Sequence, residues 1–86
     1  MQRRRRRYKG SKTAEELFGL TLREIRKERG SSQEALAFDS GYHPTYIGQL
    51  ERGAKSPSLR TIVGLAAALG VAPSDFLRRF EERLGK

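Results

Sequence analysis

Between Gln33 and Arg52 two short stretches of helical periodicity are joined by only a few residues around Gly41. So short a link permits two packed helices only if they cross steeply. A steep crossing needs a small residue where the backbones approach, and Ala37 stands in that place. The link also needs a residue that accepts positive φ, which Gly41 supplies. Ile47 then anchors the second helix in a core through one branched apolar side chain, leaving its opposite face free. A small residue, a glycine and a branched apolar residue at these spacings constrain the fold more than any other part of the chain.

The flanking sequence reads as further helices. Thr13 and Glu16 have the spacing of a capping box, in which hydroxyl and carboxylate each satisfy a free backbone N–H. Phe18, Leu22 and Ile25 follow on one face, and Gly30 after Lys27 and Arg29 marks the stop. The second helix begins after Ser32, or after Ser31 if Ser31 and Glu34 form the box. Leu36 and Ala37 face inward and Gly41 ends it. Pro44 suits the first turn of the third helix, where its missing N–H costs nothing. Ile47 and Leu50 are that helix's apolar contacts, and Gly53 stops it. Ser58 caps a fourth helix whose apolar stripe is Leu59, Ile62, Ala66 and Leu69, closed by Gly70. Pro73 opens a fifth carrying Phe76, Leu77, Phe80 and Leu84. No segment alternates as a strand does, so the expected fold is all-α with five helices and no internal repeat.

Charge divides the chain in two. The 86 residues carry a net charge of +8. Residues 1–12 hold seven basic side chains and no acid, whereas residues 13–86 hold eleven basic and ten acidic ones. A basic arm (1–12), disordered when free, therefore precedes one small domain (13–86). A cationic arm calls for a polyanion, and nucleic acid or a membrane surface would both serve. No apolar run approaches the ~20 residues of a membrane span, and no signal-peptide core is evident. The chain has no cysteine and one histidine, so no disulfide, thiolate metal site or cofactor is expected. No carboxylate pair, nucleophile–base set or phosphate-cradling glycine loop points to an enzyme.

The run SQEALAFDSGYHPTYIGQLERGAKSPSL (Ser32 to Leu59) resembles the Cro/repressor-type helix-turn-helix family. So do the preceding LREIRKERG (Leu22 to Gly30) and the later LAAALGVAPSDFL (Leu65 to Leu77). The likeness covers about residues 17–77 and leaves out the arm. It implies a lambda-repressor-like five-helix domain that binds duplex DNA, with residues 44–52 as the helix lying in the major groove. It implies base contacts from Thr45, Gln49 and His43. Backbone contacts would come from Gln33, Tyr46, Arg52, Lys55 and Ser58, and Arg26 would pair with Glu51 beneath the motif. The residue chemistry agrees: a glutamine amide pairs bidentately with adenine, and threonine offers a hydroxyl or a methyl. The chain departs from the family at His43, where a small hydroxyl cap is common, and at Pro44, where a polar reader is common. Gly48 contributes no side chain to reading either.

These features together lead to a transcriptional regulator of the repressor or restriction–modification controller kind, acting in the cytoplasm on the nucleoid. Its partner is double-stranded DNA, with no small-molecule ligand evident. Arg3, Arg4, Arg5, Arg6 and Arg7 would enter a narrow minor groove. Leu77, Phe80 and Leu84 would form a homodimer interface, so that two copies read a palindromic operator. The alternative is an interaction module like the multiprotein-bridging coactivators, whose basic arm would bind RNA or protein.

Overall fold

The computed structural model describes residues 6–85, so Arg3, Arg4 and Arg5 of the basic run lie outside the described residues. After a single 3-10 turn at Lys9–Ser11, five helices follow: α1 (Ala14–Glu28), α2 (Gln33–Ser40), α3 (Pro44–Glu51), α4 (Leu59–Leu69) and α5 (Pro73–Arg83). There is no strand among the described residues. Residues just before Thr13 carry local hydrogen bonds. The Tyr8 N–H donates to the Lys12 carbonyl, and Arg7 Nη1 donates to the Ser11 carbonyl at 2.9 Å.

Local chemistry accounts for each boundary. Thr13 Oγ1 accepts from the Glu16 N–H at 3.1 Å, while Glu16 Oε1 accepts from the Thr13 N–H at 2.8 Å, completing the capping box. At α2 the cap is Ser32, whose Oγ accepts from the Ala35 N–H at 2.9 Å. The Ser31 carbonyl has a different use, accepting from Arg26 Nη1 at 2.8 Å. Gly41 ends α2 at φ 80°, and α3 starts at Pro44. Ser58 caps α4 through the Thr61 N–H at 3.0 Å.

The core gathers Phe18, Leu22 and Ile25 from α1, Leu36 and Ala37 from α2, and Ile47 and Leu50 from α3. Leu65 and Leu69 of α4 and Phe76 of α5 complete it. The α4 stripe differs from the one expected. Leu59 is 75% exposed, and Leu65 takes the core position instead. The buried side of α4 is Thr61, Leu65, Ala66 and Leu69, so the inward face is rotated away from residue 59. Thr61 can turn inward because its hydroxyl is hydrogen-bonded there. Leu59, Val63 and Ala67, spaced by four, form an apolar stripe on the outer side.

The last helix is held by few apolar contacts and several charges. Only Phe76 is fully buried, its ring 5.2 Å from that of Phe18. Phe80, expected at an interface, packs edge-on to Phe18 at 5.9 Å and is half-buried in the chain's own core. Leu84 is also half-buried, whereas Leu77 remains 38% exposed. Around this aromatic seat Arg79 pairs with Glu28 at 2.6 Å and with Glu24 at 2.9 Å, and Arg83 pairs with Glu24 at 2.9 Å. Hydrogen bonds from Arg79 hold the Glu24 and Glu28 carboxyls below their ordinary value of 4.5, with Arg83 adding to the effect at Glu24.

Helix α3 comes very close to α1 at Gly19, in the middle of α1. A Cβ at this position would stand 2.3 Å from the Leu50 carbonyl oxygen and 2.4 Å from that of Glu51. A glycine inside a helix costs up to about 1 kcal/mol against alanine, and here it admits the end of α3. Gly53 completes the seat. It combines φ 76° with backbone so near Glu16 that a Cβ would lie 2.7 Å from the Glu16 Cα.

Two predictions follow from this packing. Gly19→Ala drives a methyl into two backbone carbonyls that have no rotamer to change, and should cost at least about 2 kcal/mol. For a domain this size that lowers Tm by roughly 10 °C. An unchanged Tm in thermal denaturation followed by circular dichroism would refute the close approach. The α5 attachment should depend on acidity. Because folding depresses the Glu24 and Glu28 values, their contribution is complete above pH 4.5 and is lost as pH falls through the lower folded values. Arg79→Met should therefore flatten the fall in stability below pH 4.5, as read from denaturant midpoints at several pH values.

Candidate nucleic-acid interface

Helix α3 is built to keep one side fixed and the other free. Ile47 and Leu50 are fully buried, whereas His43 and Thr45 are exposed and Gln49 and Tyr46 are half-buried. His43 serves as the N-cap in place of a hydroxyl residue: its Nδ1 accepts from the Thr45 N–H at 3.1 Å. That bond orients the imidazole at the tip of the helix. Thr45 keeps its own hydroxyl and methyl outward, since only its backbone N–H is used.

The C-terminal end of α3 is held by charge. Arg26 Nε donates to Glu51 Oε2 at 2.6 Å, and Arg26 Nη2 donates to Glu51 Oε1 at 3.1 Å. Both side chains are at least nine-tenths buried. A bidentate pair of this kind fixes orientation as well as distance. Through Nη1 on the Ser31 carbonyl, Arg26 also fixes the α1–α2 connection. Gln33 joins the same cluster by donating Nε2 to Glu51 Oε1 at 2.9 Å. One carboxylate thus ties together the end of α1, the start of α2 and the end of α3. Among the described residues no buried side-chain nitrogen or oxygen lacks a partner.

A second polar cluster joins α3 to the start of α4. Thr61 Oγ1 lies 3.1 Å from the Tyr42 hydroxyl, 3.4 Å from the Tyr46 hydroxyl and 3.0 Å from Ser58 Oγ. The Tyr42 and Tyr46 rings are 5.2 Å apart. Tyr46 and Ser58, both expected at the DNA backbone, are therefore brought together through a buried threonine that sequence reasoning passed over. The available signal was the spacing of Ser58 and Thr61, which places Thr61 where an N-cap hydroxyl bonds the backbone. Gly19 was also missed, although an unexplained glycine inside a long helix is itself a sign of close approach.

The remaining expected residues are placed as follows. Arg52, Lys55 and Ser58 are exposed, on the segment that leaves α3. The arm leaves the domain beside that same segment, because Glu16, in the first turn of α1, lies under Gly53. Arg6 lies 5.5 Å above the Tyr8 ring, and Arg7 approaches Glu16 at 3.9 Å. An open cleft of about 580 Å³ between α1 and α5 is lined by charged residues including Glu24, Arg79 and Arg83, which are already paired with one another. Among the described residues no group of histidines and carboxylates could hold a metal ion. No single described helix is long and apolar enough to cross a membrane.

The Arg26–Glu51 pair gives a direct test of this architecture. Glu51→Ala leaves Arg26 buried without a counter-charge and should cost about 3–5 kcal/mol. The double replacement Arg26→Met, Glu51→Leu should recover much of that loss. A Glu51→Ala loss below about 1 kcal/mol in urea titration would mean that the pair behaves as a surface bridge.

Comparison with known proteins agrees with this arrangement. A family profile described as helix-turn-helix matches residues 22–76. Control protein C.BamHI of Bacillus amyloliquefaciens is 47% identical over 62 residues, which cover 71% of this chain and 76% of that protein. The crystal structure of the restriction–modification controller protein C.AhdI of Aeromonas hydrophila superposes with a TM-score of 0.69 at 46% identity, covering 71% of this chain and 92% of that one. The controller protein C.Esp1396I, solved as a tetramer with its natural 35 base-pair operator, gives a TM-score of 0.79 at 25% identity, covering 85% and 96%. This is a family of DNA-binding regulators rather than of enzymes. The chain belongs to the Cro/repressor-type helix-turn-helix family.

Proposed function

We propose that this protein is a sequence-specific, double-stranded DNA-binding regulator of the restriction–modification controller kind, with α3 as its major-groove helix. The observation that carries this reading is the division of α3 into two sides. Its inner side is fixed by Ile47, Leu50 and the buried Glu51, while Thr45 and His43 stand exposed at its leading end. Such rigidity holds a reading side chain in register with a base edge. Thr45 and Gln49 read bases, with His43 beside them. Arg52, Lys55, Ser58 and the Tyr46 hydroxyl lie along the sugar–phosphate backbone, where contacts position the protein without specifying sequence.

The basic run Arg3 to Arg7 follows from the same placement. The chain enters α1 beside Gly53, where Glu16 lies against it, and from that side the run reaches the adjoining minor groove. Two copies bind together on a palindrome, with half-sites about one helical turn apart. Because Phe80 is partly consumed by the chain's own core, the most exposed apolar surface left for a second copy is Leu77 together with the outer α4 stripe of Leu59, Val63 and Ala67. Such a regulator acts in the cytoplasm, at the DNA it controls.

Selection of bound duplexes from a random pool tests the reading. The expected product is a palindrome whose half-sites are separated by about ten base pairs. Gln49→Ala should weaken binding to that product by about 1–3 kcal/mol and relax preference at one position of each half-site. No enrichment of any sequence, or stronger binding to structured RNA than to duplex DNA, would overturn the proposal.

A further inference from the structure

Gly48 stands on α3 one turn before Arg52, and the space its missing side chain leaves is occupied. An ideal Cβ at residue 48 would lie 3.1 Å from Arg52 Nη1, 3.8 Å from Gln33 Oε1 and 3.9 Å from Gln33 Nε2. These are the three nearest atoms, and all belong to side chains. Gly48 is buried, although Arg52 is exposed and Gln33 half-exposed. The Arg52 guanidinium is thus folded back along its own helix and lies across bare backbone, beside the Gln33 amide.

The Gln33 amide is itself oriented. Its Nε2 donates to Glu51 Oε1 at 2.9 Å, and Glu51 is held by two bonds from Arg26. Glu51 takes one of the two Nε2 hydrogens, and Oε1 remains free as an acceptor near the same backbone. An amide held in this orientation, with its oxygen available as an acceptor, is a fitting neighbour for a guanidinium. The cation available at this place is Arg52.

We infer that Gly48 is a positioning residue: its bare backbone seats the Arg52 guanidinium beside Gln33, where Arg52 takes a DNA phosphate. The inference rests on the duplex-binding reading above and deepens it. Gly48 is then more than a lost base contact, because its lack of a side chain fixes where the nearest arginine points. An arginine held in one place before DNA arrives loses less side-chain freedom on binding. Gln33 acts through Arg52, with its rotamer set by the Arg26–Glu51 pair.

A double-substitution cycle in the full chain tests this, using a mixed-sequence 20 base-pair duplex as probe, since a phosphate contact is independent of sequence. Arg52→Ala should weaken binding roughly tenfold at about 0.1 M salt and reduce the slope of log K against log salt by about one. Gly48→Ala should displace the guanidinium and reduce affinity several-fold and slope in the same direction. The new methyl crowds only the far end of the Arg52 side chain and makes ordinary contact with the Gln33 amide, and alanine is the better helix former, so Tm should hold or rise while binding falls. In the Arg52→Ala background Gly48→Ala should have no further effect. Gly48→Ala binding like the wild type would overturn the seat, as would a loss that adds in full to that of Arg52→Ala. An unchanged salt slope in Arg52→Ala, with duplex binding intact, would refute the phosphate contact and leave the regulator reading standing. A wild-type chain that binds no duplex would refute both.

Discussion

The arrangement depends on how the end of α3 is seated on α1. Two backbone carbonyls, those of Leu50 and Glu51, press against Gly19, and Gly53 lies against the first turn of the same helix at Glu16. Immediately alongside, Glu51 is buried and bonded twice to Arg26. Backbone contact fixes the depth of α3, and the bidentate ion pair fixes its rotation. Dispersion alone would hold the helix less specifically, since apolar packing tolerates small rolls that a forked hydrogen-bonded pair does not. A recognition helix of eight residues has too little apolar surface to orient itself, so polar and backbone constraints perform that task.

The same seat propagates to the rest of the interface. Through Gln33 the carboxylate of Glu51 reaches the start of α2, and through Arg26 it reaches the loop before it. Thr61 does the equivalent on the other side, gathering Tyr42, Tyr46 and Ser58 around one hydroxyl. Groups on four separate elements are therefore fixed relative to α3 by two small polar clusters, each with its buried atoms satisfied. Buried polar groups without partners are costly, so each cluster favours a single arrangement of its members. By contrast, α5 rests on Phe76, Phe80 and exposed ion pairs, which are individually weak and sensitive to acid and salt.

Much of this was legible in the residues taken in order. Capping at Thr13, Ser32 and Ser58, the stops at Gly41 and Gly70, and the inward faces of α1 to α3 are local matters, decided by side chains within one turn of each other. The α4 stripe was not legible to the same degree. Leu59 and Leu65 are equally apolar, and which face turns inward depends on packing against the core together with the hydrogen bonds available to Thr61. How much of Phe80 is left over for a partner is likewise not local, since it depends on how near Phe18 stands. Gln33 was legible as a polar residue at the start of α2, but not as one already committed to Glu51.

The sequence by itself determined five helices, their boundaries, the Gln33–Arg52 element and the concentration of positive charge ahead of Thr13. These follow from periodicity, capping and charge, which act over a few residues and need no knowledge of distant neighbours. Tertiary structure alone decided that Gly19 admits the end of α3, that Thr61 is a hub and that Arg52 lies over Gly48 beside Gln33. Each of these is a meeting of groups whose directions are set by how whole helices cross, and helix crossing is fixed by packing against the entire core rather than by any local run of residues.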